Sequence, residues 1–94
     1  MAKLTAGELE QAMTQLDGWS VEGDTLVKTL KFSNFPDGIA FVNRVADLAE
    51  DVGHHPDITI RYSTVILSLS THDEGGITAK DTALARRINM LSGQ

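Results

Sequence analysis

The stretch Ile58-Thr59-Ile60-Arg61-Tyr62-Ser63-Thr64-Val65-Ile66-Leu67-Ser68-Leu69 decides the fold. Ile58, Ile60 and Tyr62, then Val65, Leu67 and Leu69, recur at every second position, and that spacing places each set on one face of an extended strand. Ser63-Thr64 lies between the two runs, so the segment predicts a β-hairpin. With a two-residue loop there, the numbers of cross-strand partners sum to about 127, which sets His72 opposite His55.

Upstream of this hairpin the period changes to that of a helix. Ser33 or Asn34 caps it, Pro36 takes an early position, and Ile39, Val42, Val45, Ala46 and Ala49 form the expected buried stripe, with Phe41 and Leu48 off it. The helix should stop near Gly53. Before it, Trp19 and Val21, a Gly23-Asp24 turn, and Leu26, Leu30 and Phe32 read as another hairpin, interrupted on its apolar face by Lys28. Thr5 with Glu8 makes a capping box for a first helix carrying Leu9, Met13 and Leu16, which Asp17-Gly18 ends.

Downstream, Gly75-Gly76 opens a loop. Thr78 and Asp81 then form a capping pair for a third helix with Ala83, Leu84, Ile88 and Leu91 on its apolar face. The order is αββαββα, and the expected fold class is α+β: a two-layer sandwich in which three helices lie on one face of a four-stranded antiparallel sheet. Residues 1–94 are expected to make one domain.

The balance of 8 Lys and Arg against 13 Asp and Glu, net charge -5, argues against non-specific binding to nucleic acid, which needs clustered cations. No cysteine is present, so disulfides and thiolate metal sites are excluded. No apolar run approaches the length of a membrane span or a signal-peptide core, so no membrane partner and a cytoplasmic location are expected.

All three histidines flank the second hairpin: His54 and His55 before its first strand, His72 after its last. Glu50 precedes His54 by four residues, close enough on a continuing helix to orient it, and Asp81 opens the third helix near the loop after His72. Histidines with carboxylates that fix their tautomers are what acid-base chemistry near neutral pH requires. Each residue also has an ordinary explanation: Pro56 restrains His55 to extended geometry in a plain turn, capping alone accounts for Asp81, and Trp19 and Tyr62 are commonly core or dimer contacts. Convergence of three imidazoles favours chemistry over packing. Zinc is disfavoured, since adjacent histidines on an extended chain point to opposite faces and the i,i+4 pair is missing. No glycine-rich phosphate loop or nucleophile elbow is present.

The run Glu50-Asp51-Val52-Gly53-His54-His55-Pro56, then Tyr62, Leu67-Ser68-Leu69-Ser70-Thr71-His72 and Asp81, resembles the signature of the pterin-4a-carbinolamine dehydratases. The likeness extends over nearly the whole chain and is loosest before residue 30. It implies the fold already read, and dehydration of 4a-hydroxytetrahydropterin to quinonoid dihydropterin without metal or cofactor. That reaction recycles the cofactor of aromatic amino acid hydroxylases, to which a functional link is implied. Carried over by position, the catalytic set is His54, His55 and His72 with Glu50 and Asp81. The substrate-binding set is His54, His55, Pro56, Ser70, Thr71, His72 and Asp73, the last standing where many relatives have Glu. His54 and His72 are expected to form the main acid-base pair, with His55 binding the pterin, Glu50 orienting His54 and Asp81 supporting the His72 side. A homodimer or homotetramer is implied. Animal members also serve as dimerisation cofactors of a homeodomain transcription factor, so a docking role is the alternative; its mark would be an exposed apolar helix face, for which Phe41 and Leu48 are the candidates. A relative acting on a different pterin is the other alternative.

Overall fold

The structure is a computed structural model and describes residues 2–91. Its elements run α1 (Ala6–Met13), β1 (Trp19–Glu22), β2 (Thr25–Lys31), α2 (Phe35–Val52), β3 (Asp57–Arg61), β4 (Thr64–Leu69), a single 3-10 turn (His72–Glu74) and α3 (Ala79–Asn89). The chain is α+β, with three helices and one four-stranded antiparallel sheet in the order β1-β2-β4-β3. Neither hairpin stands alone. β2 pairs with β4 at six positions from Leu26↔Leu69 to Lys31↔Thr64, so the two hairpins join through their second strands and leave β1 and β3 as edges.

Capping chemistry sets the helix starts as the sequence implies, whereas α1 ends at Met13 with Thr14 as its C-cap, short of Leu16 and the expected Asp17-Gly18 stop. Thr5 and Glu8 close a reciprocal box on α1, the Asn34 side chain accepts from the Asp37 N–H at the start of α2, and Thr78 with Asp81 boxes α3. Of the two caps proposed for α2, Asn34 is the one used. Gly53, at φ 69°, takes the left-handed conformation that ends α2, a backbone position that glycine enters at no steric cost.

The sheet buries one face. Leu26 and Leu30 of β2 and Val65, Leu67 and Leu69 of β4 alternate inward and pack with Phe41, Val45 and Leu48 of α2 and Leu84, Ala85 and Ile88 of α3 in a single cluster. Leu9 and Met13 of α1 pack partly against it. Lys28 also faces inward, between Leu26 and Leu30. Its stem lies along apolar surface while Nζ donates to Asn89 Oδ1 at 2.7 Å, and that same oxygen accepts from Trp19 Nε1 at 2.9 Å. Trp19 is therefore a core residue with its polar tip satisfied.

Two expectations need correction. The buried stripe of α2 is Phe41, Val45, Leu48 and Ala49, while Ile39 and Val42 are half-buried and Ala46 is exposed. Apolar residues occur on more than one side of this helix, so periodicity alone admits two stripes. The bulky Phe41 decides between them by packing its ring 5.4 Å from that of Phe32. The second hairpin turns at Tyr62-Ser63, with Arg61↔Thr64 and Ile58↔Leu67 in register. Partner numbers thus sum to 125 rather than about 127, which would set His55 against Ser70 had the ladder continued. A slip of two residues keeps every side chain on its own face, so the alternation could not detect it.

Candidate active site

His54 and His55 owe their positions to the Gly53 cap. The Gly53 and His54 N–H groups both donate to Ala49 O, at 2.9 and 3.2 Å, and the chain turns away from the α2 axis before either imidazole is reached. The i+4 relation between Glu50 and His54 is therefore broken. Glu50 Oε2 instead meets His55 Nε2, and both side chains of that pair are exposed. His54 crosses to α3, where its Nε2 lies 2.6 Å from Asp81 Oδ1. The expected carboxylate partners are thus exchanged: Glu50 serves His55 rather than His54, and Asp81 serves His54 rather than His72.

Asp81 is fully buried, and its hydrogen bonds explain why it tolerates that. Oδ2 accepts from the Thr71 hydroxyl at 2.8 Å and from the Thr78 N–H at 2.8 Å. The Thr71 and Thr78 hydroxyls also share a hydrogen bond of 2.8 Å, and Thr78 Oγ1 accepts from the Lys80 N–H at 3.2 Å. A carboxylate already receiving donors on one oxygen acts as an acceptor on the other, so His54 donates Nε2–H and Nδ1 is left as its free nitrogen. The capping and histidine-holding roles of Asp81 coexist, one oxygen for each.

His72 reaches the same place by another route. β4 ends at Leu69, Thr71 makes an isolated bridge to Gly76, and His72 opens the 3-10 turn. It is exposed, and among the described residues its ring has no hydrogen-bond partner. His54, His55 and His72 line one cavity of about 330 Å³, together with Ser70, Thr71 and Asp73. The three histidines converge although the register that suggested it was off by two. An adjoining cavity of about 300 Å³ shares His55, Ser70 and His72 and adds Asp24 and Asp57. Ser70 Oγ donates to Asp24 O at 3.0 Å, which ties the β1–β2 turn to this end of the sheet.

Glu50 and Pro56 are not among the residues lining the histidine cavity, and Asp81 lies behind it. The hydroxyl of Thr78, and Asp24 and Asp57, went unrecognised as parts of this region. Thr78 was legible only as a cap, and Asp24 only as a turn residue. Among the described residues no three His, Asp or Glu side chains are grouped as metal ligands, and no helix is long and apolar enough to cross a membrane.

Comparison with known proteins bears on what such a site is for. The family model described as pterin 4 alpha carbinolamine dehydratase matches residues 2–91. A relative from Thermomicrobium roseum is 51% identical over 92 residues, covering 98% of this chain and 99% of its own. Another, from Mycobacteroides abscessus, is 51% identical over 94 residues, all of both chains. Both carry the assigned name pterin-4-alpha-carbinolamine dehydratase. The crystal structure of a transcriptional coactivator/pterin dehydratase from Brucella melitensis is similar with a TM-score of 0.90 at 35% identity, covering 97% of this chain and 99% of that one. A pterin dehydratase-like protein identified as a RuBisCO assembly factor in the alpha-carboxysome is similar at a TM-score of 0.69 and 26% identity, covering 85% and 95%. With a family model spanning residues 2–91 and relatives about half identical along their full length, the chain belongs to the pterin-4a-carbinolamine dehydratase family.

Proposed function

We propose that this protein dehydrates 4a-hydroxytetrahydropterin to quinonoid dihydropterin by histidine acid-base catalysis, and so returns the cofactor of an aromatic amino acid hydroxylase to its cycle in the cytoplasm. The observation that carries this reading is His54, held by a buried carboxylate and facing the same cavity as His55 and His72.

The reaction needs two proton movements. The lone pair of the ring nitrogen bonded to C4a forms a C=N bond as the C4a–O bond breaks. The departing oxygen takes a proton and leaves as water, and the nitrogen gives its proton to a base. His54 is the base: Asp81 fixes the Nε2–H tautomer, presents Nδ1 as the acceptor and stabilises the imidazolium that forms. His72, unpaired and exposed at the cavity, is the acid that protonates the oxygen. His55, backed by Glu50, binds the pterin and assists proton transfer, while Ser70, Thr71 and Asp73 border the ring site. Pro56 acts by holding His55 in an extended conformation.

The docking alternative loses its mark, because Phe41 and Leu48 are core residues, 0% and 8% exposed. We also propose a homo-oligomer. β3 is an edge strand, and Ile60 and Tyr62 at its turn end are 40% and 73% exposed, which a second copy would cover. Light scattering that returns the mass of one chain would refute this.

The function is tested by stopped-flow ultraviolet decay of 4a-hydroxytetrahydropterin with wild type and His54→Ala. Acceleration over the spontaneous reaction, reduced roughly 10²-fold in the variant, is expected. No acceleration by the folded protein, or a variant within about twofold of wild type, would refute the assignment.

A further inference from the structure

The histidine cavity borders a second space that the proposed reaction itself does not need. Between the end of α2 and α3 lies a cavity of about 420 Å³, lined by Val52, Ala83 and Leu84 and by Lys80 and Arg87. It shares Gly53, His54 and Lys80 with the histidine cavity, so the two adjoin. Lys80 and Arg87 stand seven residues apart on α3, which puts them on the same side of the helix, two turns apart. Among the described residues no Asp or Glu lines this space. Among the described residues neither cationic side chain has a hydrogen-bond or ion-pair partner, although the chain carries 13 acidic residues against 8 Lys and Arg.

The other cavity that adjoins the histidines, of about 300 Å³, is lined by Asp24 and Asp57 and shares no residue with the one between α2 and α3. A pterin has a matching polarity. Its aminopyrimidine edge presents N–H donors, which carboxylates accept, and its other ring carries the substituent at C6. With the pyrimidine edge toward Asp24 and Asp57, the C6 substituent extends toward Lys80 and Arg87.

We propose that the cavity between α2 and α3 receives the C6 substituent of the pterin and selects substituents that end in an anion, a carboxylate or a phosphate. The inference rests on the pterin reading of the histidine site. The apolar walls accommodate the linking atoms, and the two unpaired cations supply charge-assisted hydrogen bonds to the terminal anion. A neutral hydroxylated tail would gain little from either cation.

The test is fluorescence titration of the folded protein with 6-hydroxymethylpterin, pterin-6-carboxylate and 6-hydroxymethylpterin phosphate. At low salt at least one anionic probe is expected to bind about tenfold more tightly than the neutral one, and the comparison of the two identifies which anion is preferred. Arg87→Glu should bring that ratio to about one or below, and Arg87→Lys should retain most of it. Arg87 is exposed on α3, so neither change disturbs the core. Anionic and neutral probes binding within about twofold of each other would overturn the proposal while leaving the pterin site standing. An anion preference that survives Arg87→Glu would overturn it too. If no pterin binds, the pterin reading falls and takes this inference with it.

Discussion

Asp81 Oδ1 lies 2.6 Å from His54 Nε2, joining the first turn of α3 to the residue just past the cap of α2. The second oxygen of the same carboxylate holds the N-terminus of α3 through the Thr78 N–H. One buried group therefore closes a helix end and orients the proposed base. Damage to it should register in both stability and rate.

Asp81→Asn preserves the shape and removes that dual competence. If the amide oxygen faces Thr71 and Thr78, the amide NH₂ faces His54 and forces Nε2 to become an acceptor, moving the ring proton to Nδ1. If the amide is reversed, its NH₂ meets the Thr78 N–H. We expect kcat to fall by roughly 10²-fold or more, and urea unfolding to show a loss of about 1–3 kcal/mol. A variant with kcat within about threefold of wild type would remove Asp81 from the mechanism.

Thr78→Val removes a helix cap and the hydroxyl that polarises Thr71 toward Asp81. A loss of about 1–2 kcal/mol is expected from the cap alone, with Thr78→Ser near wild type, both read by urea denaturation. Thr78→Val retaining wild-type stability would show that the buried hydroxyl pair contributes nothing.

Glu50→Gln should behave differently from Asp81→Asn. The Glu50 and His55 side chains are 76% and 59% exposed, and an exposed pair contributes less than about 1 kcal/mol. Stability should change by less than that, and kcat/KM should fall by no more than about tenfold, mainly through KM, since His55 is assigned to binding. A loss in kcat equal to that of Asp81→Asn would return Glu50 to the centre of the chemistry.

Lys28 supplies a pH dependence. Burial lowers the pKa of its ammonium below the usual 10.5, partly countered by Asp17. The folded state then releases this proton at lower pH than the unfolded state does. The unfolded chain holds more protons in that window, so stability rises with pH as it passes from the lowered folded pKa toward 10.5. Urea midpoints of wild type minus those of Lys28→Met should increase across that range, and a flat or falling difference would contradict the assignment.

Element order, helix N-caps and the inward faces of β2 and β4 were legible because each is set by chemistry within a few residues, as with Thr5 and Glu8, Asn34 and Asp37, Gly53 at a positive φ, and Thr78 and Asp81. Val21, Ile60 and Tyr62, by contrast, read on the apolar faces of the edge strands, are exposed. The helix that broke this pattern is α2. Its two apolar stripes are equivalent until something packs against them, and Phe32 and the sheet chose Phe41. The register of the second hairpin was hidden for a related reason. Sums of 125 and 127 bury the same residues, and Tyr62 at φ 51° is not a turn residue that composition announces. The ladder between β2 and β4, which pairs Leu26 with Leu69, belongs to no local stretch of sequence.

The sequence by itself determined that three histidines and several carboxylates gather at one end of a sheet, since strand alternation and helix caps act over short range and leave the chain few other ways to run. Only the tertiary structure decided which carboxylate serves which histidine. Gly53 turns the chain out of α2 before His54, so spacing along the helix no longer governs that ring, and the docking of α3 brings Asp81 to it from 27 residues away. Hydrogen bonds of that kind depend on how helices pack across the core, and a periodicity read along one chain carries no information about the rotation of one helix against another.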